Sequence, residues 1–534
     1  MKNALRSTLA VVTISLVSHV AFAKSNDTTC STLQKSLQQI NSQVFAEIEK
    51  LRQAEGISAV TYTVFNDSCF LTIGESGAPS FNEKNVYPLS AENSIFRLNS
   101  VSKVFVTMAM SQLIEKGIIH PDSSLLDLHR AKFVNFITSK LPLQIQKKWA
   151  KIKVRHLMNH QAGISKDIPG SLVFYNTESL ANNSYPTLEA LYFGLPYVEF
   201  LFEPGKLSTS VKYSNLAMNL LGRIVEDYNP EGLTYEEYVA KNILRPLGMN
   251  KTFMNIPSRV EPLMVRGYGA KLTDGQRTPI PKALFAGSYE GSIGLASTAT
   301  DLAKMGAELL RITNNRGTLL KNKAVVDYYM MPTTLVGQNF VFAHGPAWQV
   351  IAGETFADTV WFGHSGSGSG ERSVLLVSPE RNVGVTVLMS ATDAPRDKFV
   401  KILSDAYKNL KYSPSKEVVE LHQHVRQVLE QTPTIAVNTP PSKTPQQELE
   451  KFVGDYFTDV IGVQKISLSD DGHLVFYGQK LQVVDAKRGL FRFPEMPGLG
   501  GLLFNREPII FKMNEQGQVQ SATVANVKIY TKIK

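Results

Sequence analysis

Ser100-Val101-Ser102-Lys103-Val104-Phe105-Val106-Thr107-Met108-Ala109-Met110 is the stretch on which the reading of this chain turns. It sets a serine and a lysine three positions apart at the head of a helix expected to open at Ser100 and end near Gly117, where a left-handed cap is easiest. On a helix that spacing puts both side chains on one face, about 5–6 Å apart at their Cβ atoms. Val101, Val104, Phe105, Val106, Met108, Ala109, Met110, Leu113 and Ile114 leave no polar side, so the helix is expected to lie inside its domain. A serine hydroxyl attacks a carbonyl only with help from a base. A lysine is such a base once its pKa falls, and burial in an apolar helix lowers it. The positive field of a helix N-terminus favours the developing alkoxide. With Arg97 just ahead of it, Lys103 is one of two charged positions before the last turn, and a lone lysine there is costly unless used.

Two further motifs follow in order. Tyr213-Ser214-Asn215 lies between a polar loop and a helix, offering a phenol to pass a proton to a leaving group and an amide to hold a substrate carbonyl. His364-Ser365-Gly366 follows an apolar strand and opens the run Gly366-Ser367-Gly368-Ser369-Gly370. Glycines there let a substrate lie against the strand edge. The backbone N–H groups of Ser100 and Ser367 would then form an oxyanion hole, a contribution of roughly 3–4 kcal/mol per donor. Each motif alone is weak, and each of the first two has a decoy. Ser413-Pro414-Ser415-Lys416 repeats the first spacing but holds a proline and opens no buried helix, and Tyr407-Lys408-Asn409 sits on a terminal helix. Read singly, the tyrosine motif is a packed ring with a capping asparagine and the glycine run a hairpin loop. No Gly-x-Ser-x-Gly elbow occurs anywhere, and strands and helices do not alternate, so an α/β-hydrolase is excluded.

Around these motifs the chain reads as a helix (Leu33 to Ala54), two strands (Ser58–Phe65 and Phe70–Ile73), and then helices at Val154–His160, Leu216–Glu226, Tyr235–Leu244 and Thr300–Arg311. A polar irregular stretch from Ser165 to Ser210 has the length of a functional loop or lid. Strands are expected near Phe340–Ile351, Thr359–Phe362, Arg372–Val377 and Val383–Met389, then a helix at Arg396–Leu410. This order fits an α+β sandwich with an all-helical insert. After it come a short amphipathic helix (Lys416–Gln431) and a proline-bearing linker (Thr432–Pro445). From Phe452 the pattern alternates, with hairpins at Asp471-Gly472 and Gln516-Gly517, and reads as a separate small all-β barrel or meander. The expected division is 1–23 signal peptide, 24–411 hydrolase domain, 412–445 linker with a short helix, and 446–534 β domain.

Lys2 and Arg6, the apolar run Leu9 to Val17 and the small-x-small site Ala21-Phe22-Ala23 read as a secretory signal, so a periplasmic or secreted protein is expected. That run is interrupted by Thr13 and Ser15 and is too short to span a membrane, and stable membrane insertion is not expected. Removing Lys2 and Arg6 takes the formal net charge from +9 to +7, a mild excess for the mature chain. Basic runs interleaved with aromatics are absent, which argues against nucleic acid as a partner. The two cysteines, Cys30 and Cys69, leave a disulfide and a pair of buried thiols both open. No zinc constellation is evident, and neither a metal nor another cofactor is called for.

The ordered trio resembles the serine β-lactamase and penicillin-binding-protein superfamily, in its class C-like branch with D-aminopeptidases, DD-peptidases and carboxylesterases. The surrounding segments are similar too: Phe96-Arg97-Leu98-Asn99, His156-Leu157-Met158-Asn159-His160-Gln161-Ala162-Gly163, Glu203-Pro204-Gly205, Arg245-Pro246-Leu247-Gly248-Met249 and Ser297-Thr298-Ala299-Thr300-Asp301-Leu302. The likeness runs from about Ser58 to Leu410, and the β tail looks like the lipocalin-like domain of some members. The resemblance implies a β-lactamase-like α+β fold, an antiparallel sheet flanked by helices plus an all-helical subdomain. It implies that Ser100 is acylated, Lys103 is its base partner, Tyr213 transfers protons and Asn215 contacts the substrate amide. His364, Ser365, Gly366 and Ser367 would line the substrate, with His364 standing where β-lactamases usually carry lysine. A histidine is mostly neutral at neutral pH and is a poor fixed charge for the carboxylate of a penicillin. The expected activity is therefore cleavage of an amide or ester in a small molecule or peptide, by a peptidase or esterase. A β-lactamase and a non-catalytic binder of penicillin or wall peptides are the alternatives.

Overall fold

The computed structural model describes residues 28–81, 87–169, 188–200, 203–205, 213–272, 275–330, 334–336, 341–345, 348–352, 359–368, 370–410, 412–430, 444–458, 462–476, 479–493, 508–524 and 528–533. The signal segment, most of the Ser165–Ser210 stretch and nearly all of the proline-bearing linker lie outside them.

β-branched and aromatic residues build the central sheet. One edge is formed by the hairpin of β1 (Ala59–Phe65) and β2 (Phe70–Gly77), with β2 outermost, turned at Asn66, whose side chain accepts the Ser68 and Cys69 N–H groups. Next in the chain are four two-residue strands, β3 (Phe96–Arg97), β4 (Gly267–Tyr268), β5 (Pro279–Ile280) and β6 (Ala296–Ser297), pairing as β3 with β6 and β4 with β5. Then come β7 (Thr334–Val336), β8 (Val341–Gly345), β9 (Trp348–Ala352), β10 (Trp361–Gly368), β11 (Glu371–Ser378) and β12 (Val383–Met389). The eight-stranded antiparallel sheet has the order β2-β1-β12-β11-β10-β9-β8-β7, so the first strands of the domain pair with the last. β1, β11 and β12 are buried almost throughout, as strands covered on both faces must be. The helix Ala299–Thr313 covers one face. The helices Gln38–Glu55 and Arg396–Ala406 pack together on the other, against β2 and β12.

The expected N-terminal helix is two, Thr28–Ser36 and Gln38–Glu55. Cys30 and Cys69 are joined in a disulfide, with Cα atoms 5.6 Å apart, fastening the first helix beside the β1–β2 turn. The bridge closes a separation of 39 residues. Its removal in Cys30→Ser is expected to lower the unfolding free energy by roughly 3–4 kcal/mol, a drop that reductant should reproduce in the wild type but not in the variant during thermal unfolding.

The all-helical part includes Lys132–Lys140, Leu143–Trp149, Val154–Met158, Leu188–Gly194, Asn215–Tyr228 and Tyr235–Val239. Its core runs without a break into that of the buried helix Lys103–Glu115, through Val104, Met108, Leu216, Leu220, Leu221 and Tyr235. The C-terminal region is a nine-stranded antiparallel sheet in which strands follow one another in sequence and the first, Gly454–Thr458, pairs with the last, Lys528–Lys532. The two ends of this order, Gln479–Lys480 and Gln482–Asp485, are consecutive along the chain through Leu481, giving a nearly closed barrel. Phe452, Phe491 and Phe511 meet at its centre with ring centroids 4.7–5.3 Å apart. Both expected hairpins are present, Gly462–Leu468 with Leu474–Phe476 and Pro508–Met513 with Val519–Val524. Among the described residues no helix is long and apolar enough to cross a membrane.

Candidate active site

Ser100 does not sit in an α-helix. Asn99–Ser102 is a 3-10 turn, and the α-helix begins at Lys103 and ends at Glu115, ahead of Gly117 at φ 68°. In a 3-10 turn side chains three apart eclipse, which brings Ser100 directly over Lys103. Asn99 makes the turn possible. It holds φ 49°, a value asparagine tolerates, and its side-chain amide donates to the Arg97 and Gly368 carbonyls at 3.2 and 3.1 Å. Arg97 anchors the approach, buried and donating to the carbonyls of Ala283, Met254 and Gly294. Its backbone N–H donates at 2.8 Å to Glu371, whose buried carboxyl is pushed up to about 8 by loss of water. Ser100 lies in the first turn, so its N–H has no acceptor within that turn.

Lys103 is 0% exposed. Its Nζ lies 3.1 Å from Ser100 Oγ and donates to the Ser292 carbonyl at 2.9 Å. Burial carries its pKa well below that of an ordinary lysine, with Asp167 opposing and Lys166 adding to the shift. The Tyr213 ring covers this amine, Nζ standing 4.7 Å from the ring centroid. The Tyr213 phenol lies beside the Ser100 side chain, and burial pushes its pKa up, against the opposing influence of that hydroxyl. The hydroxyl at 100, the amine at 103 and the phenol at 213 therefore meet.

Tyr213 is placed from two sides. His160, at φ 57°, packs its ring 4.4 Å from the tyrosine ring and accepts the Ser214 N–H on Nδ1 at 3.1 Å. Ser214 caps the helix Asn215–Tyr228, its Oγ accepting from Ala217 N–H at 3.0 Å and donating to the Ser165 carbonyl at 2.7 Å. Asn215 opens that helix. Its Nδ2, the group expected to meet substrate, donates instead to Asp167 at 2.6 Å. A carboxylate only accepts, so this bond fixes the amide orientation and turns Oδ1 the other way.

The remaining expected residues lie on β10, one stretch longer than the strand foreseen at Thr359–Phe362. Among the described residues β9 pairs with Trp361–Gly363, and His364–Gly368 continues beyond that pairing and lies against the Asn99–Ser102 turn. Gly366 is there because nothing larger fits, since a Cβ would stand 2.2 Å from the Leu98 carbonyl oxygen. His364 is buried with its ring 6.2 Å from that of Tyr213, and its Nδ1–H donates to the Ser365 carbonyl at 2.6 Å. Ser365 Oγ accepts from Arg396 at 2.8 Å. Ser367, opposite Arg372 in β11, shares this overhanging stretch.

The decoys are structural. Ser415 caps the helix Lys416–Glu430 by accepting the Val418 N–H, and Lys416 is exposed. Tyr407 is packed, its hydroxyl donating to Asn41 at 2.5 Å. Sequence reasoning missed Ser292, Lys166 and Asp167. His160 stood within a quoted segment, but nothing in its spacing tied it to Tyr213. Among the described residues no group of three or more His, Cys, Asp or Glu could hold a metal.

Comparison with known proteins points to one family. "Beta-lactamase-like protein 4" of Dictyostelium discoideum is 29% identical over 277 residues, 50% of this chain and 45% of that protein. A "Beta-lactamase" of Yersinia enterocolitica is 23% identical over 260 residues, 48% of this chain and 55% of that one. The chain thus spans about half the length of these curated relatives. Two solved structures share the fold. One is the octameric penicillin-binding protein homologue from Pyrococcus abyssi (TM-score 0.54, 19% identity, 92% of this chain and 99% of that one). The other is the β-lactamase/D-alanine carboxypeptidase from Pseudomonas syringae (TM-score 0.53, 17% identity, 70% and 100%). The Beta-lactamase family model matches residues 80–407, a span that holds the nucleophile turn, the tyrosine and the β10 overhang. A match over more than half the chain, on the very segments that converge here, means that the protein belongs to the β-lactamase family, whose members are generally serine hydrolases.

Proposed function

We propose that this protein is an exported serine hydrolase that opens an amide or ester bond through an acyl-enzyme on Ser100. The observation that carries the reading is the contact of Ser100 Oγ with a fully buried Lys103, whose pKa burial lowers. A neutral amine has a lone pair, and Ser292 takes one of its N–H groups, leaving the lone pair for the serine hydroxyl. In acylation Ser100 Oγ bonds to the substrate carbonyl carbon while its proton passes to Lys103 Nζ. The bond to the leaving nitrogen or oxygen then breaks, and that atom takes up a proton relayed through the Tyr213 hydroxyl. Because burial keeps Tyr213 a phenol, it serves as a relay and Lys103 as the base. The N–H groups of Ser100 and Ser367 stabilise the oxyanion. Water repeats the sequence on the ester and restores the serine.

The Cys30–Cys69 disulfide and the signal-like N-terminal segment support an oxidising compartment, the periplasm or the outside of the cell. His364 in place of a fixed cation supports a peptidase or esterase over a β-lactamase. Incubation with a fluorescent fluorophosphonate or penicillin followed by peptide mapping is expected to label Ser100 alone. Ser100→Ala should lose the label and all turnover of amide and ester libraries. Label on another serine, or undiminished turnover by Ser100→Ala, would defeat the reading.

A further inference from the structure

The wall of the site beside Tyr213 carries a charge that the acylation chemistry does not use. Asp167 is only 9% exposed. One oxygen accepts from Asn215 Nδ2 at 2.6 Å, which pins the carboxylate to the residue two beyond Tyr213. Its other oxygen accepts no hydrogen bond among the described residues. The Asn215 Oδ1, turned away by the same contact, is buried and likewise without a donor among them. The backbone fixes this wall in place, since the N–H groups of Asn215 and Leu216 both donate to the Lys166 carbonyl, at 2.6 and 3.1 Å. The carboxylate is close enough to act electrostatically on Lys103 and on Tyr213. Lys166 is the other ionisable group here, and burial lowers its pKa while Asp167 opposes that shift. Two acceptors with open lone pairs suit a group that is all donors. An ammonium group is that, and a neutral acyl chain or a carboxylate is not.

We infer that Asp167, with Asn215 Oδ1, forms a subsite for a protonated amino group on the acyl side of the substrate, so that the enzyme selects aminoacyl amides or esters with a free α-amino group. The inference rests on the acyl-enzyme reading of Ser100 and names its substrate class. Asp167 acts here as a specificity residue. It gains its contact only from substrates that carry the charge, while the nucleophile, base and relay work without it.

The test is competition for Ser100 in the full chain. The rate of Ser100 labelling by a fluorescent fluorophosphonate is measured near neutral pH, where an α-amino group with an ordinary pKa of about 7.7–8.0 is mostly protonated. Alaninamide of each hand is compared with its N-acetyl and N-succinyl derivatives. The free amine is expected to protect Ser100 at a concentration about tenfold or more below that of the acetylated form. Asp167→Asn keeps an acceptor for Asn215 Nδ2 and removes the charge. The preference, read within the variant as the ratio of the protective concentrations of amine and acetamide, should be lost whatever the variant's own labelling rate. Equal protection by amine and acetamide, stronger protection by the anionic succinyl form, or a preference that survives in Asp167→Asn would overturn the inference and leave the hydrolase reading standing. Failure of the wild type to be labelled at Ser100 would instead bring down the hydrolase reading, and this one with it.

Discussion

Lys103→Met is expected to abolish acylation of Ser100 and at the same time to make the hydrolase domain more stable. Removing the base should slow Ser100 labelling by roughly 10²–10⁴-fold, the usual worth of a positioned proton acceptor. The gain in stability follows from burial. Lys103 is 0% exposed, in a helix where Val104, Phe105, Val106, Met108 and Ala109 are buried too. Its folded pKa lies well below the ordinary 10.5. Between those two values the unfolded chain binds a proton that the folded chain rejects. Stability is thus penalised at neutral pH and rises with pH until the penalty vanishes above the unfolded value. Methionine fills nearly the same volume with no charge to strip. Replacing buried charge by packed apolar groups stabilises by up to about 1–4 kcal/mol, less here because the Ser292 carbonyl loses its donor. The same shift governs rate, since wild-type acylation should climb with pH and level off well below 10.5. Labelling rates across pH and denaturant unfolding of both proteins check all three results. A Met variant less stable than wild type would mean that the bonds to Ser100 and Ser292 outweigh the burial of the amine.

The second large effect is expected at Gly366, where valine should remove activity and much of the domain's stability. A Cβ at this position stands 2.2 Å from the Leu98 carbonyl oxygen and 2.4 Å from Ser373 Oγ. Neither can step aside cheaply. Ser373 Oγ donates to that same Leu98 carbonyl at 2.5 Å, and the Leu98 N–H donates to Leu295 at 2.8 Å. Leu98 leads directly into the turn that carries Ser100, so the clash must move either β10 or the nucleophile. Overpacking of this kind costs roughly 1–3 kcal/mol, and the branched side chain sits at the upper end. Because the oxyanion donors belong to the two segments being forced apart, Ser100 labelling should fall by more than about a hundredfold, as misplacement by an ångström does. Circular dichroism with labelling distinguishes local displacement from unfolding. Near-wild-type labelling would show that the β10 overhang is not held against the nucleophile turn.

What was legible in the sequence follows from how far each argument reaches along the chain. Ser100 and Lys103 are three apart, so local geometry ties them together, and apolar neighbours on every side announce the burial that lowers the lysine's pKa. Tyr213 and the His364–Ser367 stretch became legible through order and context within a family pattern, since periodicity cannot join residues more than a hundred positions apart. The strand register that carries His364–Gly368 past β9 was hidden, because glycine and serine have no apolar alternation to mark a strand. The 3-10 turn was hidden for the opposite reason, as Val101 and Ser102 satisfy an α-helical pattern equally well. Asp167 and Ser292 left no trace. One acts through a side chain brought to Asn215 by a loop, the other through a backbone carbonyl, and a carbonyl has no residue preference to read.

The pairing of β1 with β12 sets an order of events for the growing chain. Val60 faces Met389 and Phe65 faces Gly384, so the middle of the sheet waits for more than three hundred further residues. At about 5–20 residues per second, synthesis alone leaves the β1–β2 hairpin with one naked rim for a quarter of a minute or longer. During that interval the hairpin is a template for any extended strand that drifts past. Cys30 and Cys69, by contrast, are both present from the start. Once formed, their bond fastens the N-terminal helix beside the hairpin without any help from the distant strands, so this corner of the sheet is tied before β12 has to find β1.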